Sequence, residues 1–207
     1  MPSLLDYKRF LPHKQETGAV IMISWRQNMT IPQAILDLMQ ELETAWDQTH
    51  LPNESRSALH KQKYFAFDAE LPKYNHPDFS LTAPPYAAII KNALHYYEKR
   101  LYRLLAYCLM SNHIHIMIQP IPNAQAITPL IPDIVSRIKS YTAKKINEQR
   151  GTKGSVWAHD FYDTMMRNDE HLWHALSYIL NNPVKAGIVD NWQDYPHGFW
   201  NRTLFEP

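Results

Sequence analysis

The amino-acid sequence predicts an α+β protein built around an antiparallel hairpin, and three features carry that prediction. Tyr102–Met110 and His113–Ile118 are rich in β-formers, and Ser111-Asn112 between them reads as a tight turn joining two strands. Ala19–Trp25 is apolar and reads as a further buried strand. Elsewhere apolar residues recur at helical spacing, as in Ile35, Leu38, Met39, Leu42 and Trp46. With 207 residues, 45% of them hydrophobic and 20% charged, the chain is long enough for one domain with a proper core.

In chain order, Thr30 and Pro32 mark the start of a helix that follows the first strand. From about His50 to Pro85 the pattern breaks down under five prolines, and an irregular excursion is predicted there. Pro84-Pro85 then leads into a second helix over Tyr86–Tyr97, and the hairpin follows, ended by Pro120 and Pro122. Ile134–Gln149 reads as a third helix closed by Gly151 and Gly154, and Val156–Met166 as a short strand or extended piece. Asn168 is placed to cap a fourth helix, with Asp169 and Glu170 in the first turn where the dipole favours acids. That helix must end near Asn182, because Pro183 follows. No repeat or linker interrupts the chain, so residues 1–207 read as a single domain with an insertion at about 50–85 and an aromatic tail from about 190.

Composition narrows the function classes. The longest apolar runs are too short to span a bilayer, and the N-terminus lacks the basic and apolar regions of a signal peptide. With one cysteine, Cys108, no internal disulfide is possible, in keeping with a reducing cytoplasm. Net charge is +1, so nothing global argues for nucleic acid, and any such case rests on local clusters and chemistry. Eleven histidines draw attention to metal sites.

His113 and His115 lie two apart on a strand, so both imidazoles project from one face while Ile114 projects from the other. That spacing offers two nitrogen ligands to one divalent cation, although a hydrogen-bonded pair on an edge strand would share it. On the last helix, Leu172, Ala175, Leu176 and Ile179 form the core-facing stripe. His171, His174, Tyr178 and Asn182 fall on a neighbouring one, with Tyr178 and Asn182 one turn apart. A phenol and an amide oxygen so placed could act as nucleophile and third ligand, or serve only as a packing tyrosine and a helix-ending residue.

Taken together, several segments resemble the IS200/IS605-like tyrosine transposases, and within them the REP-associated tyrosine transposases. These are Cys108–His115, Ile138–Ala143, Val156–Asp163, Arg167-Asn168 and Tyr178–Val189, with a looser likeness at Arg9–His13. The resemblance implies a ferredoxin-like or RNA-recognition-type antiparallel sheet with helices against it, as in HUH endonucleases. It also implies that His113 and His115 are metal ligands, that Tyr178 is the nucleophile, and that Asn182 supplies the polar ligand, with Asn181 in reserve. Ser111 departs from the proline the family often has before Asn-His, and Tyr162 offers a competing tyrosine. The implied activity is cleavage of single-stranded DNA near hairpins through a 5′-phosphotyrosine, with Mg²⁺ or Mn²⁺, followed by rejoining. Arg137, Lys139, Lys144, Lys145 and Lys185 are the candidate DNA contacts, Lys139 first because it lies in the family-like segment. Trp157 reads as core, though it or Phe161 could stack on bases. His159, His171 and His174 are candidate proton shuttles, or surface residues. A monomer in the bacterial cytoplasm, associated with the nucleoid, is implied over a homodimer that shares its active sites. The alternatives are a relaxase or replication-initiator nickase, and a non-catalytic module that binds structured DNA or RNA.

Overall fold

A computed structural model describes residues 16–48 and 53–204, with side chains described from residue 58 to residue 203 after the gap. The likeness noted at Arg9–His13 lies outside them. The described chain divides into two compact units, one within Met29–Tyr74 and the other comprising the described parts of Lys14–Asn28 and Asn75–Pro207.

The first unit holds α1, Gln33–Asp47, and α2, Asn53–Glu70. Ile35 and Met39 are the buried positions of α1, and Leu59 is buried on α2. Within this unit Lys63 pairs with Glu43, tying α2 to α1. The irregular excursion expected over 50–85 is therefore corrected. Most of its first half is an 18-residue helix, followed by a single 3₁₀ turn at Leu71–Lys73. Pro52 and Pro72 flank this helix instead of interrupting it. Its Ala, Glu, Lys and Gln residues favour helix, even though its apolar residues make no clean stripe.

The second unit is a five-stranded antiparallel sheet with helices. Its elements are β1 Ile21–Arg26, α3 Pro84–Tyr97, β2 Tyr102–Leu109, β3 His113–Pro120, α4 Ile131–Arg150, β4 Tyr162–Met165, α5 Asp169–Leu180, α6 Asn182–Lys185 and β5 Gly198–Trp200. The strand order is β4-β1-β3-β2-β5. The first four strands with α3 and α4 make the βαββαβ arrangement of the ferredoxin-like fold. The expected C-terminal tail instead contributes β5, which pairs with β2 through Ala106, Tyr107 and Cys108.

Alternation along the central strands gives the sheet two buried faces. Ile21, Ile23 and Trp25 of β1 and Ile114, Ile116 and Ile118 of β3 join one core with Ile90 and Leu94 of α3 and Ile134, Val135 and Ile138 of α4. Trp157 belongs to that core, its Nε1 donating to Thr142 Oγ1 at 2.9 Å. On the other face stand Met22, Ser24, His113, His115, Met117, Ala106 and Cys108, as the register Met22↔Met117↔Ala106 and Ser24↔His115↔Cys108 requires. There α5 packs on β2, β3 and β5 and buries Ala175, Leu176, Ile179 and Leu180.

Local chemistry sets the helix ends. α4 starts a turn earlier than its periodicity predicts, with Pro132 in the first turn, and ends at Gly151 with φ 65°, a value that suits glycine. Asn168 caps α5 by accepting from His171 N at 2.8 Å. α5 ends at Asn181, and Pro183 opens the short α6.

Ile116 is fully buried at the centre of the sheet. Ile116→Ala is expected to destabilise the protein by about 2–5 kcal/mol, measured by urea unfolding monitored through tryptophan fluorescence.

Candidate metal and nucleophile site

The site is assembled from the sheet face that carries polar side chains. His113 and His115 are both buried on β3, with ring centroids 4.9 Å apart and planes 84° apart. Each ring is oriented through Nδ1: that of His113 lies 2.7 Å from Asn112 Oδ1 and that of His115 2.6 Å from Ser24 Oγ. Ser24 is the Cα partner of His115 on β1, so strand register delivers the hydroxyl to the ring.

With Nδ1 engaged in both rings, Nε2 is the nitrogen that each offers as a ligand. Burial, with the nearby charge of Lys185 as a lesser cause, pushes the His115 pKa down to about 3. His115 is therefore neutral at physiological pH, the form that binds metal. Two oriented, buried imidazoles fit a divalent cation such as Mg²⁺, Mn²⁺ or Zn²⁺ without selecting one.

Tyr178 comes to this pair from α5. Its ring stands edge-on to His115, centroids 5.7 Å apart at 87°, and Lys185 Nζ lies 4.5 Å from its ring centroid. Asn182 is buried one turn later and donates through Nδ2 to the Tyr178 carbonyl at 3.1 Å. That bond leaves Oδ1 as the atom Asn182 can turn to a cation. Asn181 points elsewhere, donating to Ser177 O at 2.9 Å and Ser177 Oγ at 3.2 Å.

The competing tyrosine shares the face. Tyr162, on the edge strand β4, is the Cα partner of Ser24 and therefore projects on the same side as His115. It is half-buried. Of the other histidines, His159 is exposed beside Asp160, His174 is exposed, and His171 lies in the first turn of α5.

The candidate DNA contacts separate into two groups. Arg137, Lys144 and Lys145 lie on α4, which packs against the sheet face opposite the histidines. Arg137 and Lys144 are exposed, and Lys145 pairs with Glu148 at 2.7 Å. Lys139 is largely withdrawn from solvent and donates to the carbonyls of Ala158, His159 and Asp160 at 2.9, 3.0 and 3.0 Å. Lys185 alone among the five lies at the site.

Three residues were not singled out in the sequence. Ser24 has a readable signal, a hydroxyl interrupting an otherwise apolar strand. Asn112 reads in the sequence only as a turn residue, and its side chain orients His113. Arg26 is the Cα partner of His113 and brings a guanidinium to the same face, its pKa lowered by burial and opposed by Asp160.

The site thus joins two strand histidines of a ferredoxin-like sheet to a tyrosine on the helix that packs against it, and comparison with known proteins gives the family. The chain belongs to the IS200-like transposase family, whose model matches residues 71–182, more than half of its length. It is similar to a putative REP-associated tyrosine transposase of Haemophilus influenzae, 26% identical over 108 residues. That match covers 50% of this chain and only 61% of the relative. It also resembles the solved structure of a REP-associated tyrosine transposase bound to a REP hairpin, with a TM-score of 0.51 and 16% identity. This likeness, which concerns the fold, covers 95% of this chain and 85% of the other. No helix among the described residues is long and apolar enough to cross a membrane.

The bonds of Lys139 predict a structural role. Lys139→Met should lower stability by about 1–3 kcal/mol with little change in DNA affinity, compared by thermal unfolding and by fluorescence anisotropy. Burial lowers the Lys139 pKa to about 8, against ~10.4 in an unfolded chain. Between those values the unfolded chain holds a proton that the native one has released, so this group stabilises the wild type increasingly as pH rises. The stability gap between wild type and Lys139→Met should therefore widen from pH 8 to pH 10.

Proposed function

We propose that this protein is a metal-dependent transposase that cuts and rejoins single-stranded DNA near hairpins, with Tyr178 as nucleophile. The observation that carries the reading is the placement of the Tyr178 ring edge-on to His115, which is itself held by Ser24. A hairpin substrate is suggested by the solved relative, which is bound to one.

His113 and His115, with Oδ1 of Asn182, would hold a Mg²⁺ or Mn²⁺ ion. When bound, such an ion supplies charge that orients the scissile phosphate and offsets the negative charge of the transition state. The remaining chemistry belongs to the chain. A phenol has an ordinary pKa near ~10 and is a weak nucleophile until its developing charge is stabilised. Tyr178 Oη attacks phosphorus in line and loses its proton. The bond from phosphorus to the 3′ oxygen breaks, and that oxygen leaves as a 3′-hydroxyl. The resulting 5′-phosphotyrosine preserves the energy of the broken bond, so attack by another 3′-hydroxyl rejoins DNA and returns the phenol. Asn182 fixes the helix backbone at Tyr178, and burial of the histidine pair keeps bulk water from its nitrogens.

The test is incubation of end-labelled hairpin single strands with wild type, Tyr178→Phe and Tyr162→Phe in Mn²⁺ and in EDTA, with covalent adducts resolved on denaturing gels. Adduct is expected for wild type and Tyr162→Phe in Mn²⁺, and none for Tyr178→Phe or in EDTA. Persistence in Tyr178→Phe with loss in Tyr162→Phe would move the nucleophile to β4. Hairpin binding without any adduct would favour a non-catalytic binding module.

A further inference from the structure

We propose that Lys185 is the positioning residue of Tyr178: its ammonium, laid over the phenol ring that His115 meets edge-on, holds the nucleophile in its attacking orientation. The inference rests on the nickase reading above and gives Lys185 a role distinct from a general phosphate contact.

The backbone makes this placement rigid. Tyr178, Asn182 and Lys185 are related as i, i+4 and i+7, and so occupy one helical stripe. Asn181, where α5 ends, keeps φ −85° and ψ 3°, close enough to helical values for the stripe to continue into α6. Side chains on helices lean toward the N-terminus, which directs the long lysine stem back over the turn that carries Tyr178. α6 is then locked at its end. Gly187 has φ 67°, its N–H donates to Val184 O at 2.9 Å, and Ile188 N donates to Pro183 O at 2.9 Å. These two bonds form a Schellman closure, and the left-handed residue it needs is a glycine. Lys185 is therefore rooted two residues before a closed turn, and only its own side-chain torsions remain to be set.

The phenol is constrained from several directions. Lys185 Nζ is 4.5 Å from the ring centroid, within the range of a cation–π contact. His115 meets the same ring at 5.7 Å and 87°. Asn182 Nδ2 holds the carbonyl of the same residue at 3.1 Å. Among the described residues no carboxylate forms an ion pair with Lys185, so its positive charge is not locally neutralised. A cation over the ring restricts rotation of the phenol and sets a positive charge near the group on which negative charge builds. An exposed lysine whose role was only to attract DNA would have no need of the ring.

The experiment compares wild type with Lys185→Met, which keeps length without charge, and Lys185→Arg, which restores charge. 3-Fluorotyrosine is placed at position 178 for ¹⁹F NMR of the free proteins. Single-turnover adduct formation at saturating hairpin DNA in Mn²⁺ is measured with unlabelled proteins, and affinity by anisotropy. Lys185→Met should form adduct roughly 10–100-fold more slowly at saturation, with affinity changed far less. Lys185→Arg should recover most of the rate. The ¹⁹F resonance should shift or split in Lys185→Met and return toward its wild-type position in Lys185→Arg. An unchanged saturating rate with weaker binding and a salt slope reduced by about one would make Lys185 a phosphate contact and overturn the proposal. An unmoved ¹⁹F line in Lys185→Met would overturn it as well. If wild type forms no adduct, the nickase reading fails, and the NMR comparison alone decides whether Lys185 positions Tyr178.

Discussion

The hydrogen bond between Ser24 Oγ and His115 Nδ1 joins neighbouring strands, and it exists only because β1 and β3 pair in one register. That register assigns every other side chain of β3 to the face covered by α5 and the rest to the face covered by α3 and α4. A slip of one residue would turn Ile114 and Ile116 toward Tyr178 and bury two imidazoles in an aliphatic core. The isoleucines therefore protect the chemistry, since their burial makes any other register costly. The histidines in turn have fixed partners within the protein itself.

This arrangement divides labour between the two faces of the sheet. α4 contributes Ile134, Val135 and Ile138 to the core, and its exposed cations lie across the sheet from the histidines. Lys139, which sits in a segment shared with the family, secures the carbonyls of Ala158, His159 and Asp160 just before β4 begins. α5 and α6 carry the groups that meet the histidine pair. They form a nearly continuous helical stripe through Asn181, along which Asn182 bonds back to Tyr178.

Much of this was legible in the sequence, and the limits have physical causes. Period-two alternation at His113–Ile118 and the helical stripe of α5 were readable because packing against two layers imposes strict periodicity. Asn168 and Pro183 marked the ends of α5 closely because capping and a missing N–H are local effects. The helix at Asn53–Glu70 was missed because its prolines lie at the flanks and its apolar residues form no single face. β5 was missed because a three-residue edge strand has too little pattern, and its existence depends on β2 beside it. Ser24 could not be connected to His115 from sequence, since the two are 91 positions apart and only strand pairing joins them. Lys139 is a candidate DNA contact from its place in the family-like segment, and its bonds to the Ala158, His159 and Asp160 carbonyls were not legible because those carbonyls come from a loop about twenty residues further along the chain.

The most direct measurement is the affinity of the metal-stripped protein for Mn²⁺, compared between wild type and Ser24→Ala by calorimetric or electron paramagnetic resonance titration. If the histidine pair is the metal centre and Ser24 orients it, wild type binds one equivalent. Ser24→Ala then binds roughly 10–100-fold more weakly while remaining folded. Equal affinity in the two proteins, or no Mn²⁺ binding by wild type, would contradict it.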